Sequence, residues 1–338
     1  LRIVPVDTGD GSRAAVGEAV RAVLGRSDVH GAVTGFASAD VIEMEMFADA
    51  GLPYIVAEHS MAFQRRVEAE PSRYAGVWGL MPSYDPYGDA AAERLASLAE
   101  SALTACERRV FVVSAQGDYE TRCADGLASG LARRGWQVVG RAADAGPDTD
   151  WSAVVETARD SGADLLASTA YLPAVAAGLT AAFAQSSWEC LLFIQYACKY
   201  DDYLTGIAGV AADGVLFDII GGPIEALPVT AAIRERFAEA SLVAPDRYAI
   251  DVFQATHLYA TAARAVGGTR DHAAVGRAIG GCSMDLAEGR LRFDERTHLA
   301  LHGDDAIPLQ WAQLQGGRPV CVSPALLATG DFVTPSWL

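Results

Sequence analysis

The sequence predicts an α/β protein of two lobes, each a parallel sheet flanked by helices, joined by a hinge of several crossovers. Two observations support this fold class. Short β-branched apolar runs alternate with Ala-rich stretches of helical spacing, which is the pattern of a parallel sheet, and the alternation occurs in two successive series. The chain of 338 residues also exceeds the ~250 residues beyond which a single core seldom grows.

The first series covers the opening third of the chain. Its predicted strands lie at 2–6, 31–34, 54–56 and 76–80. Its predicted helices lie at about 12–24, 39–50 and 88–106.

The second series begins with the apolar run 109–113. Its further predicted strands lie near 137–139, 165–168, 191–195 and 214–219. Three helical stretches then follow without strands between them, at about 228–241, 248–266 and 272–279, before strand-like runs at 290–293 and 307–314. Because the alternation breaks and no low-complexity linker separates the halves, the chain is expected to cross between lobes several times. Lobe 1 is predicted as 1–106 with 224–285, and lobe 2 as 107–223 with 286–338.

The charge balance excludes one large class of partner. Acidic residues outnumber basic ones by 43 to 26, giving a formal charge of −17, and the longest basic clusters are arginine pairs. Such a surface repels phosphate backbones, so we expect no nucleic-acid binding.

No run reaches the ~18 apolar residues of a membrane helix. The six cysteines include no CxxC pair, which leaves free thiols and disulfides both open.

Two motifs that would hold a cofactor or a metal have weak contexts. Gly9, Gly11 and Ala14 have the spacing of a dinucleotide-binding turn, but the next strand ends at 33–35 without the acidic residue that binds ribose. A plain strand-to-helix turn is therefore preferred. The pair His298 and His302 has Asp304 and Asp305 close behind, but the segment has the pattern of a loop, where imidazoles four apart do not share a face. No cofactor or metal is predicted.

Catalytic motifs are missing as well. The chain contains neither GxSxG nor the phosphate-binding GxxxxGK[ST]. No catalytic residues are predicted, and an enzyme is the third-ranked function.

Small polar and aromatic side chains follow several predicted strands, at 36–39, 57–60, 117–119, 169–171 and 195–197. In open parallel sheets, ligands bind beyond the carboxyl ends of the strands. Ser38 is expected to cap the following helix, where its hydroxyl and the first N–H groups would receive an anionic group.

The order of motifs resembles the type I periplasmic binding proteins, in the branch that binds branched-chain amino acids, amides or urea. The similarity covers nearly the whole chain. It rests on the segments AVTGFASADVIEMEMFADAGLPYIVAEHS, RRVFVVSAQGDYETRCADGLASGLARRGWQVVG, DWSAVVETARDSGADLLASTAY, AADGVLFDI, DRYAIDVFQATHLYATAARA and EGRLRFDE.

The resemblance implies two Rossmann-like lobes that close on a ligand, with Ser38 and Tyr171 facing each other across the cleft. Together with the strand-end positions, it predicts these ligand-binding residues: Ser38, Ala39, Ala57, His59, Ser60, Tyr119, Tyr171, Tyr196 and Tyr248. The family's opening strand and helix have no counterpart before Leu1, which predicts that part of the fold precedes the sequence given.

The implied function is an extracytoplasmic solute receptor, periplasmic or lipid-anchored, of an ABC-type importer with a permease as partner. The ligand would be an amino acid, an amide or a urea-like molecule. Amino-acid binders often place an acidic residue where this chain has 195–197, so a neutral amide stays an alternative. A cytoplasmic amide sensor that regulates a protein partner is the alternative function.

Overall fold

The computed structural model describes residues 1–38, 41–196, 200–240 and 244–338. Unit 1 consists of Leu1–Ser83 and Gly221–Pro308, and unit 2 consists of Tyr84–Ile220 and Leu309–Leu338. Each unit has a mainly parallel sheet flanked by helices, which confirms the predicted α/β class.

The elements are given in chain order. The first stretch contains α1 (Arg13–Leu24), β1 (Ala32–Phe36), α2 (Ile42–Asp49), β2 (Tyr54–Glu58), α3 (Met61–Ala69) and β3 (Val77–Pro82). The second contains α4 (Tyr87–Ala102), β4 (Arg109–Val113), α5 (Asp118–Arg133), β5 (Gln137–Ala142), α6 (Trp151–Asp160), β6 (Leu165–Ser168), α7 (Pro173–Ala184), β7 (Leu191–Ile194), α8 (Asp201–Gly206) and β8 (Leu216–Ile220). The third contains α9 (Pro228–Ala240), α10 (Arg247–Ala265), α11 (His272–Gly280), β9 (Met284–Leu286), β10 (Gly289–Leu291), β11 (Leu299–Ala300), β12 (Leu309–Gln315) and β13 (Arg318–Ser323).

Unit 1 is built on a sheet of order β1-β2-β3-β11, in which neighbouring strands are parallel. β2 and β3 are buried along their whole length, as their nearly continuous apolar sequences predict. One face packs on α10 and α11 through residues such as Leu258 and Ile279. The other face packs on α2 and α3 through Phe47 and Phe63. Because the four strands are parallel, their carboxyl ends lie at one edge of the sheet.

Unit 2 is built on a seven-stranded sheet of order β13-β12-β8-β7-β6-β4-β5. The strands from β8 to β5 are parallel, and β12 adds to β8 in the antiparallel direction. The face with Leu191 and Leu216 packs on α4 and α5. The face with Leu192 and Phe217 packs on α6, α7 and α8.

The predicted strand at 2–6 is wrong. Residues 1–8 are exposed and form no strand, and the side chain of Leu1 keeps 73% of its accessible surface. The apolar alternation of this segment predicts burial, but no described strand pairs with its backbone. The remaining strand and helix positions lie within a few residues of the predicted ones.

The unit boundaries differ from the predicted lobes, because residues 84–106 lie in unit 2 and residues 221–223 and 286–308 lie in unit 1. Gly88 of α4 lies so close to α5 that a Cβ atom there would be 2.6 Å from the carbonyl oxygen of Cys123 and the nitrogen of Leu127. In unit 1, Leu299 of β11 pairs with Gly79 of β3 and joins the apolar core. These contacts are remote in sequence, so the order of elements could not predict them.

The contact between α4 and α5 gives a stability prediction. Gly88→Ala places a methyl group against the backbone of α5, so we expect it to lower the free energy of unfolding by about 1–3 kcal/mol, as overpacked cores do. Urea denaturation measures the change. Gly146→Ala is the control, because a Cβ there meets no atom within 4 Å. Equal stability of the two variants would contradict this close packing.

Candidate functional site

The edge of unit 1 at the end of β1 combines Ser38 with a carboxylate. Ser38 donates its backbone N–H to Glu43 over 2.7 Å, and its hydroxyl also donates to Glu43. The prediction that Ser38 caps α2 is wrong, because Val41 is the N-cap, with φ +52° and no side-chain cap. Glu43 is buried, so its carboxylate opposes an anionic group at this helix terminus. The predicted Ala39 lies outside the described residues.

The predicted residues after β2 have structural partners. Ala57 is wholly buried in the apolar core. The imidazole of His59 lies 3.0 Å from the carbonyl oxygen of Pro82 through Nε2 and 3.1 Å from that of Ser60 through Nδ1. Ser60 caps α3, because its hydroxyl accepts the N–H of Ala62. His59 thus connects the ends of β2 and β3, and ligand contact by these residues stays a prediction.

A buried arginine fixes the start of α10 against β2. Arg247 forms ion pairs with Glu58 and Asp251, with 3.3 Å between its Nε and Asp251 Oδ2. Its side chain is only 10% exposed. This anchor places the predicted Tyr248 beside Phe36, with the ring centroids 6.3 Å apart and nearly perpendicular. Phe36 is 59% exposed, so the pair presents an aromatic surface at the end of β1.

More acid than base is buried around this arginine. Asp251 and Glu288 are both buried, and Gln254 donates to Glu288 over 2.8 Å. Burial raises the pKa of Asp251, against the lowering effect of Arg247, and burial also raises the pKa of Glu288. Among the described residues, Arg247 is the cation that lowers the pKa of both acids, so its loss would destabilise their ionised forms.

Unit 2 brings two predicted residues into contact. Tyr119, in the first turn of α5, and Tyr171, after β6, have ring centroids 5.4 Å apart at an angle of 87°. Tyr84 contacts the ring of Tyr119 as well, at 5.1 Å. The predicted Tyr196 is nearly buried, has φ +66° and donates its N–H to the carbonyl oxygen of Asp218. Aromatic rings therefore surround the carboxyl ends of β6, β7 and β8.

Sequence reasoning missed the central polar residue of this edge, Asp218. Its side chain is fully buried, and Tyr87 donates its hydroxyl to Oδ1 over 3.0 Å. Burial raises the pKa of Asp218 to about 8, while the hydrogen bond from Tyr87 acts in the lowering direction. An acidic residue inside the apolar strand Leu-Phe-Asp-Ile-Ile was the signal that could have revealed it.

Two other candidates have ordinary partners. The ring of His298 stacks on Trp78, with Nδ1 3.0 Å from the carbonyl oxygen of Val77, and Nδ1 of His302 lies 3.1 Å from that of Ile307. Within 1–38, 41–196, 200–240 and 244–338, no three acidic, His or Cys side chains are grouped to bind a metal. In the turn 9–14, which has the spacing of a dinucleotide-binding turn, Ser12 caps α1, and Gly9 and Gly11 both have positive φ.

One pocket of about 400 Å³ lies in unit 1 away from every predicted residue. It is lined in part by Leu24, His30, Leu52 and His272. These residues precede β1 and β2 or begin α11, so the pocket lies at the amino ends of the strands. In the described part of the chain, no helix is long and apolar enough to span a membrane.

One family model matches most of the chain. A sequence model described as "Periplasmic binding protein" matches residues 1–313. A search of curated proteins found no significant match.

Three solved structures show a similar fold. A candidate branched-chain amino acid ABC transporter protein from Silicibacter pomeroyi has a TM-score of 0.85 at 18% identity, over 96% of this chain and 86% of that one. A leucine-binding protein from Thermotoga maritima has a TM-score of 0.72 at 19% identity, over 95% of this chain and 87% of that one. An ABC transporter solute-binding protein from R. palustris, in complex with benzoate, has a TM-score of 0.73 at 15% identity, over 97% of this chain and 86% of that one.

The anchor at Arg247 gives the first prediction about the site. Arg247→Gln removes the positive partner of two buried carboxylates, so we expect a loss of about 3 kcal/mol or more in the free energy of unfolding. Arg290→Gln is the control, because its pair with Asp285 is exposed and should be worth less than about 1 kcal/mol. Urea denaturation compares the two, and a small loss for Arg247→Gln would refute its role as an anchor.

The raised pKa of Asp218 gives the second prediction about the site. Between its ordinary value of 3.8 and about 8, the native state keeps a proton that the unfolded chain releases, so stability falls as pH rises. Asp218→Asn removes this effect and keeps an acceptor for Tyr87. We therefore expect the free energy of unfolding of the variant, minus that of the wild type, to increase from pH 5 to 8 and then level off. A difference that stays constant with pH would mean that Asp218 is ionised throughout.

Proposed function

The chain belongs to the periplasmic binding protein family, and from this we propose that it is the extracytoplasmic solute-binding receptor of an ABC-type importer. It would lie in the periplasm or on a lipid anchor at the cell surface and deliver its ligand to a permease. The observation that carries the proposal is the family match over residues 1–313 of 338. Three similar folds, each under 20% identical, come from ABC transporter or leucine-binding proteins.

The proposed ligand is a small molecule with a polar group and an apolar part. Polar side chains lie at the strand ends of both units, with the buried Asp218 in unit 2 and Ser38 with Glu43 in unit 1. Apolar contact is available from Tyr119 and Tyr171 in unit 2. Small-molecule sites combine these two features, with a few polar groups that orient the ligand on an apolar surface. The predicted amino acid, amide and urea-like ligands all carry suitable polar groups.

The proposed role is binding without chemical turnover. A receptor needs different contacts with the ligand in its free and closed states, since only such a difference shifts a conformational equilibrium. Lobe closure, with Ser38 and Tyr171 on opposite sides of the ligand, remains a prediction from the resemblance.

A panel of compounds tests the proposal. We expect at least one among leucine, isobutyramide, urea and benzoate to raise the melting temperature, because a ligand at 100 times its Kd adds about 2.7 kcal/mol to the native state. Titration calorimetry should show one binding site. The compound recovered after incubation with the protein should be chemically unchanged. Failure of every amino acid, amide, urea and carboxylate tested would contradict the proposed function.

A variant of Tyr171 tests the unit 2 side of the site. Tyr171→Ala should weaken binding of the stabilising compound by about 1–3 kcal/mol, because the loss of an aromatic contact removes apolar area from the complex. Tyr171→Phe is the matched control, since it keeps the ring. The melting temperature of the free protein should change little for either variant. If Tyr171→Ala lowers it sharply and leaves Kd intact, Tyr171 is a packing residue.

A further inference from the structure

The pocket at the amino ends of the unit 1 strands carries basic side chains in a chain whose formal charge is −17. Its polar lining consists of Arg26, Ser27, His30, Arg270 and His272. Among the described residues, no Asp or Glu lines it. A lining of this composition attracts anions, against the charge of the chain as a whole.

The rest of the lining is apolar and borders the interior of unit 1. Leu52 is 8% exposed and belongs to the core on α2 and α3, and Leu24 packs against the same cluster. Val29 and Ala50 complete the apolar part. The volume of about 400 Å³ lies within the range of roughly 300–1,000 Å³ found for small-molecule sites, which also combine an apolar wall with a few polar groups.

Two contacts with Tyr259 of α10 hold the loop that carries His30. The Tyr259 hydroxyl donates to the carbonyl oxygen of His30 over 2.8 Å. Gly31 lies against the same ring, since a Cβ atom there would be 2.4 Å from Cε2 of Tyr259. Burial raises the pKa of Tyr259, so this hydroxyl keeps its proton at neutral pH. The loop is therefore held beside the start of α11 without help from a ligand.

His30 and His272 form a hydrogen-bonded pair. Nδ1 of His30 and Nε2 of His272 are 3.2 Å apart, so one of these two nitrogens carries the proton that joins the rings. The outer nitrogen of each ring has no hydrogen-bond partner in the part of the chain that the structure describes. A neutral pair has one outer N–H and one outer lone pair, because a neutral imidazole has one of each. One added proton makes both outer nitrogens donors and leaves the bond between the rings intact.

Two aspartates flank the basic lining in the sequence, and both have partners. Asp28 accepts hydrogen bonds of 3.1 and 3.2 Å from Arg26 and also pairs with Arg2. Asp271 caps α11 through its side chain. Arg270, in contrast, forms no hydrogen bond or ion pair with any other residue that the structure describes. Its guanidinium is therefore available to an anion in the pocket.

We propose that this pocket is a second ligand site, which binds a small organic anion. A carboxylate or phosphate head would contact Arg270 and the protonated pair of His30 and His272, and an apolar body would lie against Leu24 and Leu52. The site is at the opposite edge of the unit 1 sheet from the residues after β1 and β2, so its occupant does not displace the ligand of the proposed receptor site. The inference does not depend on the proposed receptor function.

Proton uptake accompanies binding at this site. Burial lowers the pKa of His272, His30 lowers it further, and Asp271 acts in the raising direction. The ring is thus neutral above its lowered pKa, whereas a bound anion favours the protonated form. Affinity for an anion therefore rises as pH falls from 8 to 6, where the free protein still lacks part of the proton that the complex holds.

Three compounds with one apolar body and different heads provide the test. Hexanoate, hexyl phosphate and hexylamine are each titrated into the protein by calorimetry at pH 6 and pH 8. We expect an anion to bind and hexylamine not to bind, and the tighter of the two anions identifies the head group. Hexanoate, which is ionised at both pH values, should bind about threefold or more tightly at pH 6. Failure of both anions, or hexylamine binding as tightly as they do, would overturn the proposal.

Single substitutions assign the binding to this pocket. Arg270→Gln should weaken anion binding about tenfold or more, the range for a hydrogen bond to a charged group. His272→Gln should reduce the difference in affinity between pH 6 and pH 8. Arg277→Gln is the matched control, because it removes an exposed arginine of α11 that does not line the pocket. Equal losses for Arg270→Gln and Arg277→Gln would mean that only overall charge matters, and the site would be refuted.

A variant of unit 2 separates this site from the proposed receptor site. Tyr171→Ala should leave the affinity for the anion unchanged. If Tyr171→Ala abolishes anion binding and Arg270→Gln does not, the anion occupies the receptor site and the second site is refuted. If the anion binds as expected but no panel compound binds outside this pocket, the receptor function fails and the second site stands.

Discussion

The burial of polar side chains at the carboxyl ends of parallel strands is the constraint on which the rest of the structure depends. Strands covered on both faces leave such side chains no access to water, so each needs a partner from a neighbouring element. In unit 1, Arg247 provides it for Glu58 and Asp251 and thereby fixes the start of α10 on β2. In unit 2, Tyr87 of α4 provides it for Asp218 of β8. The first arrangement holds a helix to a strand by ion pairs, whereas the second does so through a neutral hydroxyl donor.

Most of the architecture could be predicted because it follows local pattern. Apolar runs and helical spacing placed β6 at its observed residues, and they placed most other elements within a few residues of their observed positions. The contact between Tyr119 and Tyr171 follows from strand ends meeting at one edge. The cap at Ser38 was wrong because a carboxylate five residues away binds its hydroxyl and N–H. Asp218 was overlooked because its environment depends on α4 and α5, which lie more than 80 residues earlier in the sequence.

The two units offer different chemistry at the equivalent edges of their sheets. Unit 1 presents Phe36 and Tyr248 beside the Ser38–Glu43 pair, and unit 2 presents tyrosine rings near the buried Asp218 and Gln195. The family fold is retained at 18% identity to the S. pomeroyi protein, since layer packing tolerates many apolar sequences. Ligand choice depends instead on a few polar side chains in each protein's own site.

Hydrogen–deuterium exchange with mass spectrometry tests the location of the site most directly. The chain is compared with and without the panel compound that raises its melting temperature most. We expect slower exchange in peptides that cover 36–38, 58–61, 114–120, 168–172 and 194–196, the segments after the strands of both sheets. Slower exchange confined to 24–30 and 270–272, around the pocket at the amino ends of the unit 1 strands, would contradict it.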